Sequence, residues 1–173
     1  LTNPKTAGVY YNMALIYTRG NQVTKAEEAF KKAIEIDPDL EPAYTSLGLV
    51  YELDQKPVEA IAAYEALVKI TPKNASTFLA LGEIHYNQKE YDKALTSFLT
   101  YAKLNTKDKA VYDYIGLCYF NLKNYDQAIA SFKTLLEGQP TNALVRFRLS
   151  AVYEEMKDFD DAVCLGRIWP EQW

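Results

Sequence analysis

The sequence predicts an all-α protein built as a stacked array of helix hairpins. Three observations carry this expectation: a 34-residue period, an apolar rhythm of helical spacing within each half-period, and prolines that return at the junctions. Ala26, Ala60, Ala94, Ala128 and Ala162 stand 34 residues apart. Met13, Leu47, Leu81, Ile115 and Leu149 keep the same step, as do Ala14, Gly48, Gly82, Gly116 and Ser150. Tyr17, Tyr51, His85, Tyr119 and Tyr153 form another column, and Phe30, Tyr64, Phe98 and Phe132 a further one. Pro4, Pro38, Pro72 and Pro140 punctuate the period, with Thr106 in the vacant slot. A fixed period of this length means that units stack on their neighbours instead of closing one globular core.

The elements of one unit follow in order from residues 41–74. Tyr44, Leu47, Gly48 and Tyr51 fall at i, i+3, i+4 and i+7, one face of a first helix. Asp54-Gln55-Lys56-Pro57 is a polar break in which Pro57 can open the second helix without losing a hydrogen bond. Ala60, Ile61, Tyr64, Leu67 and Val68 make the stripe of that helix, and Pro72 ends it. Asn74 is placed to cap the next helix, as Asp108 and Asn142 are later. Gly48 costs about 1 kcal/mol relative to Ala in a helix interior. It is expected to repay this by letting the two backbones approach beside Ala60, with Tyr51 and Tyr64 filling the space around them. Ile16, Val50, Ile84, Cys118 and Val152 are apolar where a lone hairpin would be polar, so neighbouring units are expected to cover them.

Small residues at positions 8 and 20, aromatics at 4, 11 and 24, and proline at 32 of a 34-residue unit resemble the tetratricopeptide repeat. The resemblance places repeats at 7–40, 41–74, 75–108 and 109–142, with a partial repeat at 143–165. Residues 1–6 align as the tail of a preceding repeat and 166–173 form a divergent tail. His85 for Tyr, Thr106 for Pro, and Arg146 and Gly166 for aromatics depart from the pattern. The resemblance implies a right-handed superhelical solenoid. Pro4 in the closing slot suggests a piece of a longer array. Trp169, Pro170 and Trp173 in the tail suggest foreign sequence in preference to a native cap, because two tryptophans make a poor polar surface.

Composition narrows the function classes. A net charge of −4 and scattered lysines, as in Lys31-Lys32 and Lys107–Lys109, disfavour nucleic acid, which needs clustered cations. No apolar run approaches the ~20 residues of a membrane helix, so no membrane insertion is expected. Cys118 and Cys164 make no disulfide framework, which fits a reducing, cytoplasmic setting. A single histidine, His85, stands in the tyrosine column and reads as a packed substitute with one hydrogen bond. Glu27-Glu28, Glu154-Glu155 and Asp160-Asp161 read as solvated faces, and the glycines form no phosphate loop. No enzyme activity, cofactor or metal is expected.

Binding is the positive expectation. Each first helix has a second face at positions 2, 5, 9, 12 and 13, which the resemblance places on a concave surface. There the sequence offers Tyr11, Leu15, Leu49, Glu52, Leu53, Leu79, Glu83, Tyr86, Asn87, Asp113, Phe120, Asn121 and Phe147. That set is more apolar than a solvated face, as an interaction strip would be. It implies a protein or peptide partner, apolar and mildly basic, with Glu52, Glu83 and Asp113 supplying charge and Asn87 and Asn121 amides for a ligand backbone. Family members that clamp acidic tails carry Lys, Asn and Arg where this chain has Tyr11, Leu15, Ser46, Ser76 and Ala80, so that role is disfavoured. An asparagine ladder at position 6, seen in sugar-transferase members, is replaced by Asn12, Ser46, Ala80, Tyr114 and Arg148. The alternatives are a structural segment that self-associates end to end, and the substrate-recruiting arm of a larger enzyme.

Overall fold

A computed structural model of the chain describes residues 4–138 and 140–156. The described residues form helices α1 (Pro4–Arg19), α2 (Val23–Ile36), α3 (Glu41–Leu53), α4 (Pro57–Ile70), α5 (Ala75–Asn87), α6 (Tyr91–Leu104), α7 (Val111–Asn121), α8 (Tyr125–Gly138) and α9 (Ala143–Glu155), with no strand among them. The chain divides into two compact units, one ending at Leu81 and the other starting at Gly82. In the first unit α1 packs on α2, α2 on α3 and α3 on α4. In the second, α6 packs on α7, α7 on α8 and α8 on α9. Cys164, Ala162, Asp160-Asp161 and the Trp169–Trp173 tail lie outside the described residues.

The helices begin and end for reasons written in the chain. Pro57 is the first residue of α4, and α4 stops at Ile70, two residues before Pro72. Asn142 caps α9, its Oδ1 accepting the Val145 amide at 3.2 Å. Asp108 does related work two residues early: it accepts the Ala110 amide at 2.9 Å and the Tyr101 hydroxyl at 2.6 Å. The segment after Asn105 is thereby held as turn, and α7 starts only at Val111. Asn74 takes the Ser76 hydroxyl at 2.7 Å. Residues 4–6, expected in the tail of a preceding repeat, are instead the opening turn of α1, where proline lacks nothing because the first amide of a helix has no partner.

Four turns share one backbone device that composition did not announce. Asn21, Gln55, Lys89 and Lys123 all adopt positive φ, between 54° and 62°. In each turn the following amide reaches back to the carbonyl of the tyrosine column: Gln22 to Tyr17, Lys56 to Tyr51, Glu90 to His85 and Asn124 to Tyr119, at 2.8–2.9 Å. The left-handed residue itself donates to Thr18, Glu52, Tyr86 or Phe120. These are the paired bonds of a Schellman termination. The same second amide's residue then offers its carbonyl to Ala26, Ala60, Ala94 or Ala128, starting the next helix at once.

The glycine column has a different role from the one expected. A Cβ at Gly48 would lie 2.6 Å from the Tyr64 ring, and one at Gly82 or Gly116 would lie 2.5 Å from Phe98 or Phe132. The space spared by glycine is therefore taken by an aromatic ring of the second helix, not by closer backbones. These rings are fully buried or nearly so. Around Phe132 the core continues through Ala128 and Leu135 of α8 to Val145, Leu149, Val152 and Tyr153 of α9.

Polar members of the core are satisfied. Tyr51 donates to Glu27 at 3.0 Å, and Lys31 and Lys56 hold the same carboxylate; the Lys31 hydrogen bond is the main reason its pKa falls below the ordinary value. His85 is buried with Nδ1 2.7 Å from Glu90, the single hydrogen bond expected of it. Cys118 is buried as a small hydrophobe, and desolvation pushes its thiol up to about 12, so it stays protonated and poorly nucleophilic. Two residues of apolar columns depart. Met13 and Ile16 are exposed, because among the described residues no helix packs on the face of α1 that is covered in their counterparts elsewhere.

Candidate functional site

The first helices of the hairpins keep one face outside these cores, and each unit shows what stands there. In the first unit α1 and α3 enclose an open cleft of about 450 Å³. Leu15 and Thr18 of α1 form one wall, and Ser46, Leu49, Glu52 and Leu53 of α3 the other, with Phe30 and Val50 beneath. Helical spacing does this: 15 and 18, and 46, 49 and 53, each recur at three or four residues. Leu49 is 52% exposed and Leu53 75%, although the adjacent Val50 and Tyr51 on the same helix are buried. Glu52 accepts the Tyr64 hydroxyl at 2.5 Å, which orients its carboxylate at the rim without neutralising it. Thus four expected residues, Leu15, Leu49, Glu52 and Leu53, come together. Tyr11 does not line this cleft; its half-buried ring packs 5.8 Å from that of Phe30. Leu79 is half-buried and also stands apart from the cleft.

In the second unit the expected residues divide into exposed and structural ones. Phe147 is 65% exposed on α9, beside Leu144 at 55%, and Asn87 and Asn121 are exposed on α5 and α7. Tyr86 and Phe120 are half-buried. Their rings meet Tyr91 at 5.6 Å and Tyr125 at 6.0 Å, so each clasps the two helices of its hairpin across the turn. Tyr86 also meets Tyr114, which stacks on Phe98 at 4.9 Å. Burial raises the phenol pKa of Tyr114, and the Glu83 carboxylate, charged and hydrogen-bonded to it, raises it further.

Two polar expectations change. Asp113 forms an ion pair with Arg148, which carries its charge from α9 to α7. The acid expected to face a ligand is thereby neutralised within the chain. Arg148 stands where a ladder asparagine was sought, and its charge opposite Asp113 at the neighbouring repeat position was the available signal. Asn121 donates Nδ2 to the Leu117 carbonyl of its own helix at 2.7 Å, leaving its amide oxygen as the group open to a ligand.

Comparison with known proteins agrees with the fold of helix hairpins. The pattern of the tetratricopeptide repeat matches residues 7–40 and 119–163, and that of anaphase-promoting complex, cyclosome, subunit 3 matches residues 54–135. No curated protein matches the chain in sequence. Among solved structures, MamA is 22% identical over 94% of this chain and 89% of its own, with a TM-score of 0.84. YrrB, a TPR protein with an unusual peptide-binding site, is 23% identical over 94% of this chain and 86% of its own, at 0.79. A tetratricopeptide repeat protein from Parabacteroides merdae is 20% identical over 98% and 69%, at 0.80. At these identities the likeness is one of fold.

Proposed function

The chain belongs to the tetratricopeptide repeat family, and from that premise we propose that it is a protein–protein interaction module whose first helices receive a segment of a partner protein. The observation that carries this reading is the α1–α3 cleft, whose apolar rim stays in water while Val50 and Tyr51 beside it on α3 are packed. Leucines held in water cost solvation that only an occupant recovers, roughly 25 cal/mol per Å2 of apolar surface covered. YrrB, of the same fold, has a peptide-binding site by its description.

The ligand is an apolar, mildly basic peptide or amphipathic helix laid in the groove. Leu15, Leu49 and Leu53 take its apolar anchors and Glu52 its basic flank. In the second unit, taken by itself, Phe147, Asn87, Asn121 and Glu83 are proposed as a separate contact surface, whereas Tyr86 and Phe120 mainly hold the hairpins they clasp. Affinity for a short segment is on the order of micromolar, about −8 kcal/mol.

Site-specific photocrosslinking tests the placement. A benzophenone side chain at Leu53 should trap the partner protein, and the same group at Thr96, exposed on the second helix α6, should not. Trapping from Thr96 alone, or equally from both, would remove the cleft as the site.

A further inference from the structure

The hydrogen-bonding groups of the α1–α3 cleft restrict the conformation of its occupant, given that the cleft is the binding site. Among the described residues that line it, Leu15, Phe30, Leu49, Val50 and Leu53 carry no polar side-chain atom. Glu52, when ionised, only accepts, and the Thr18 hydroxyl already donates to the Ala14 carbonyl at 2.9 Å. The Ser46 hydroxyl is the side-chain donor that remains. Backbone donors are spent as well. Both walls lie past the first turns of α1 and α3, where each amide is bonded within its own helix. An extended segment laid here would press its carbonyls against leucines with one hydroxyl to meet them, and a buried carbonyl without a donor is costly. A helix brings its backbone bonds with it.

Length points the same way. Ser46 and Leu53 stand seven residues apart on α3, roughly 10 Å at 1.5 Å per residue. Two turns of a second helix span that distance and present three side chains, at i, i+4 and i+7, to Leu15, Leu49 and Leu53. A strand crosses it in about three residues and turns only one or two side chains inward.

Stacking of the repeats does not provide the cover. α2 and α4 both pack on α3, yet Leu49 and Leu53 stay exposed, so the opening does not arise from where the chain begins. Charge separates a foreign occupant from the chain's own tail. Glu52 brings a carboxylate to the rim, and α3 ends with no basic residue in its last turn, so this mouth favours a cation. Residues 157–173 carry Asp158, Asp160, Asp161 and Glu171 against Lys157 and Arg167, the wrong sign for it.

We propose that the cleft selects an amphipathic α-helix of a partner protein and rejects an extended segment. Aliphatic side chains at i, i+4 and i+7 enter between α1 and α3, and a lysine or arginine one turn beyond an end anchor meets Glu52.

The probe is a phage-displayed library of random segments 16 residues long (about two helical turns of anchors with flanks). It is selected on the intact chain and counter-selected on the chain carrying Leu49→Ser and Leu53→Ser. The winners should share aliphatic residues at i, i+4 and i+7 with a basic residue a turn away. A fluorescent synthetic copy should gain helical circular dichroism on binding. Proline between its first two anchors should weaken binding at least about tenfold, ~1.4 kcal/mol. Glu52→Gln keeps an acceptor for the Tyr64 hydroxyl and loses the charge, so it should weaken binding about two- to fivefold. Winners that alternate apolar and polar residues, or that bind undiminished with the proline, would overturn the helix and leave the cleft a binding site. An absence of winners that depend on Leu49 and Leu53 would remove the cleft and the helix together. Displacement of the winners by a peptide of residues 157–173 would assign the cleft to the chain's own tail and overturn the partner.

Discussion

Phe132→Ala is expected to destabilise the second unit by about 3–5 kcal/mol, the range for removing a large ring from a well-packed interior. Phe132 is 1% exposed, lies over Gly116 of α7, and joins Ala128 and Leu135 in the cluster that holds α9. Its loss therefore empties a hairpin interior and a stacking interface together. Urea unfolding followed by far-ultraviolet circular dichroism should show an early transition separate from the rest, because stacked repeats couple only to their neighbours. The companion change Gly116→Ala gives the argument its sharper form. Its Cβ would be directed at the ring, an overpacking cost of about 1–3 kcal/mol set against roughly 1 kcal/mol of helix propensity. The column carries Ala14 against Phe30, so the cost falls at the lower end. Without the ring, Gly116→Ala should become neutral or stabilising. An alanine cost that persists in the Phe132→Ala background would show that the glycine serves something other than the ring.

Glycine at the three left-handed turn residues is the change with the largest expected gain. Gln55, Lys89 and Lys123 are exposed, have positive φ, and make their conserved-geometry contacts through the backbone alone. A side chain in this region costs roughly 1–2 kcal/mol, of which the greater freedom of glycine in the unfolded chain returns a part. The net gain is about 0.5–1 kcal/mol per turn, and the turns share no partner, so the triple variant should gain about 2 kcal/mol. Asn21 already suits this region and is best left. Thermal and urea unfolding of the triple variant check the sum; a loss of stability would mean that these side chains hold the turns.

How far the residues alone reached is clearest at particular positions. The helix pairs, the buried alanine and aromatic columns, the start of α4 at Pro57 and the packing of His85 and Cys118 all follow from period and spacing, because each depends on which residues share a helix face. The turn geometry did not follow, since lysine and glutamine do not advertise positive φ; only their recurrence every 34 residues at the hairpin turn could have. The glycine column was visible but its occupant was not, because spacing cannot say whether a backbone or a ring fills the gap. At the site, Leu15, Leu49, Glu52 and Leu53 were identifiable as one face. Tyr86 and Phe120 were not separable from them, as their clasping partners Tyr91 and Tyr125 lie on the other helix of the hairpin. The Asp113–Arg148 pair joins α7 to α9; opposite charges on neighbouring repeats were legible, but not that the two side chains reach each other.

Leu49 and Leu53 settle whether the open apolar face exists for a partner. The variant carrying Leu49→Ser and Leu53→Ser should unfold within about 0.5 kcal/mol of the parent, as changes at exposed positions do. Its capture of the partner trapped from position 53 should fall at least about tenfold, ~1.4 kcal/mol. Undiminished capture by the folded variant would contradict the proposed role of the cleft, and a marked loss of stability would show that the two leucines serve the fold instead.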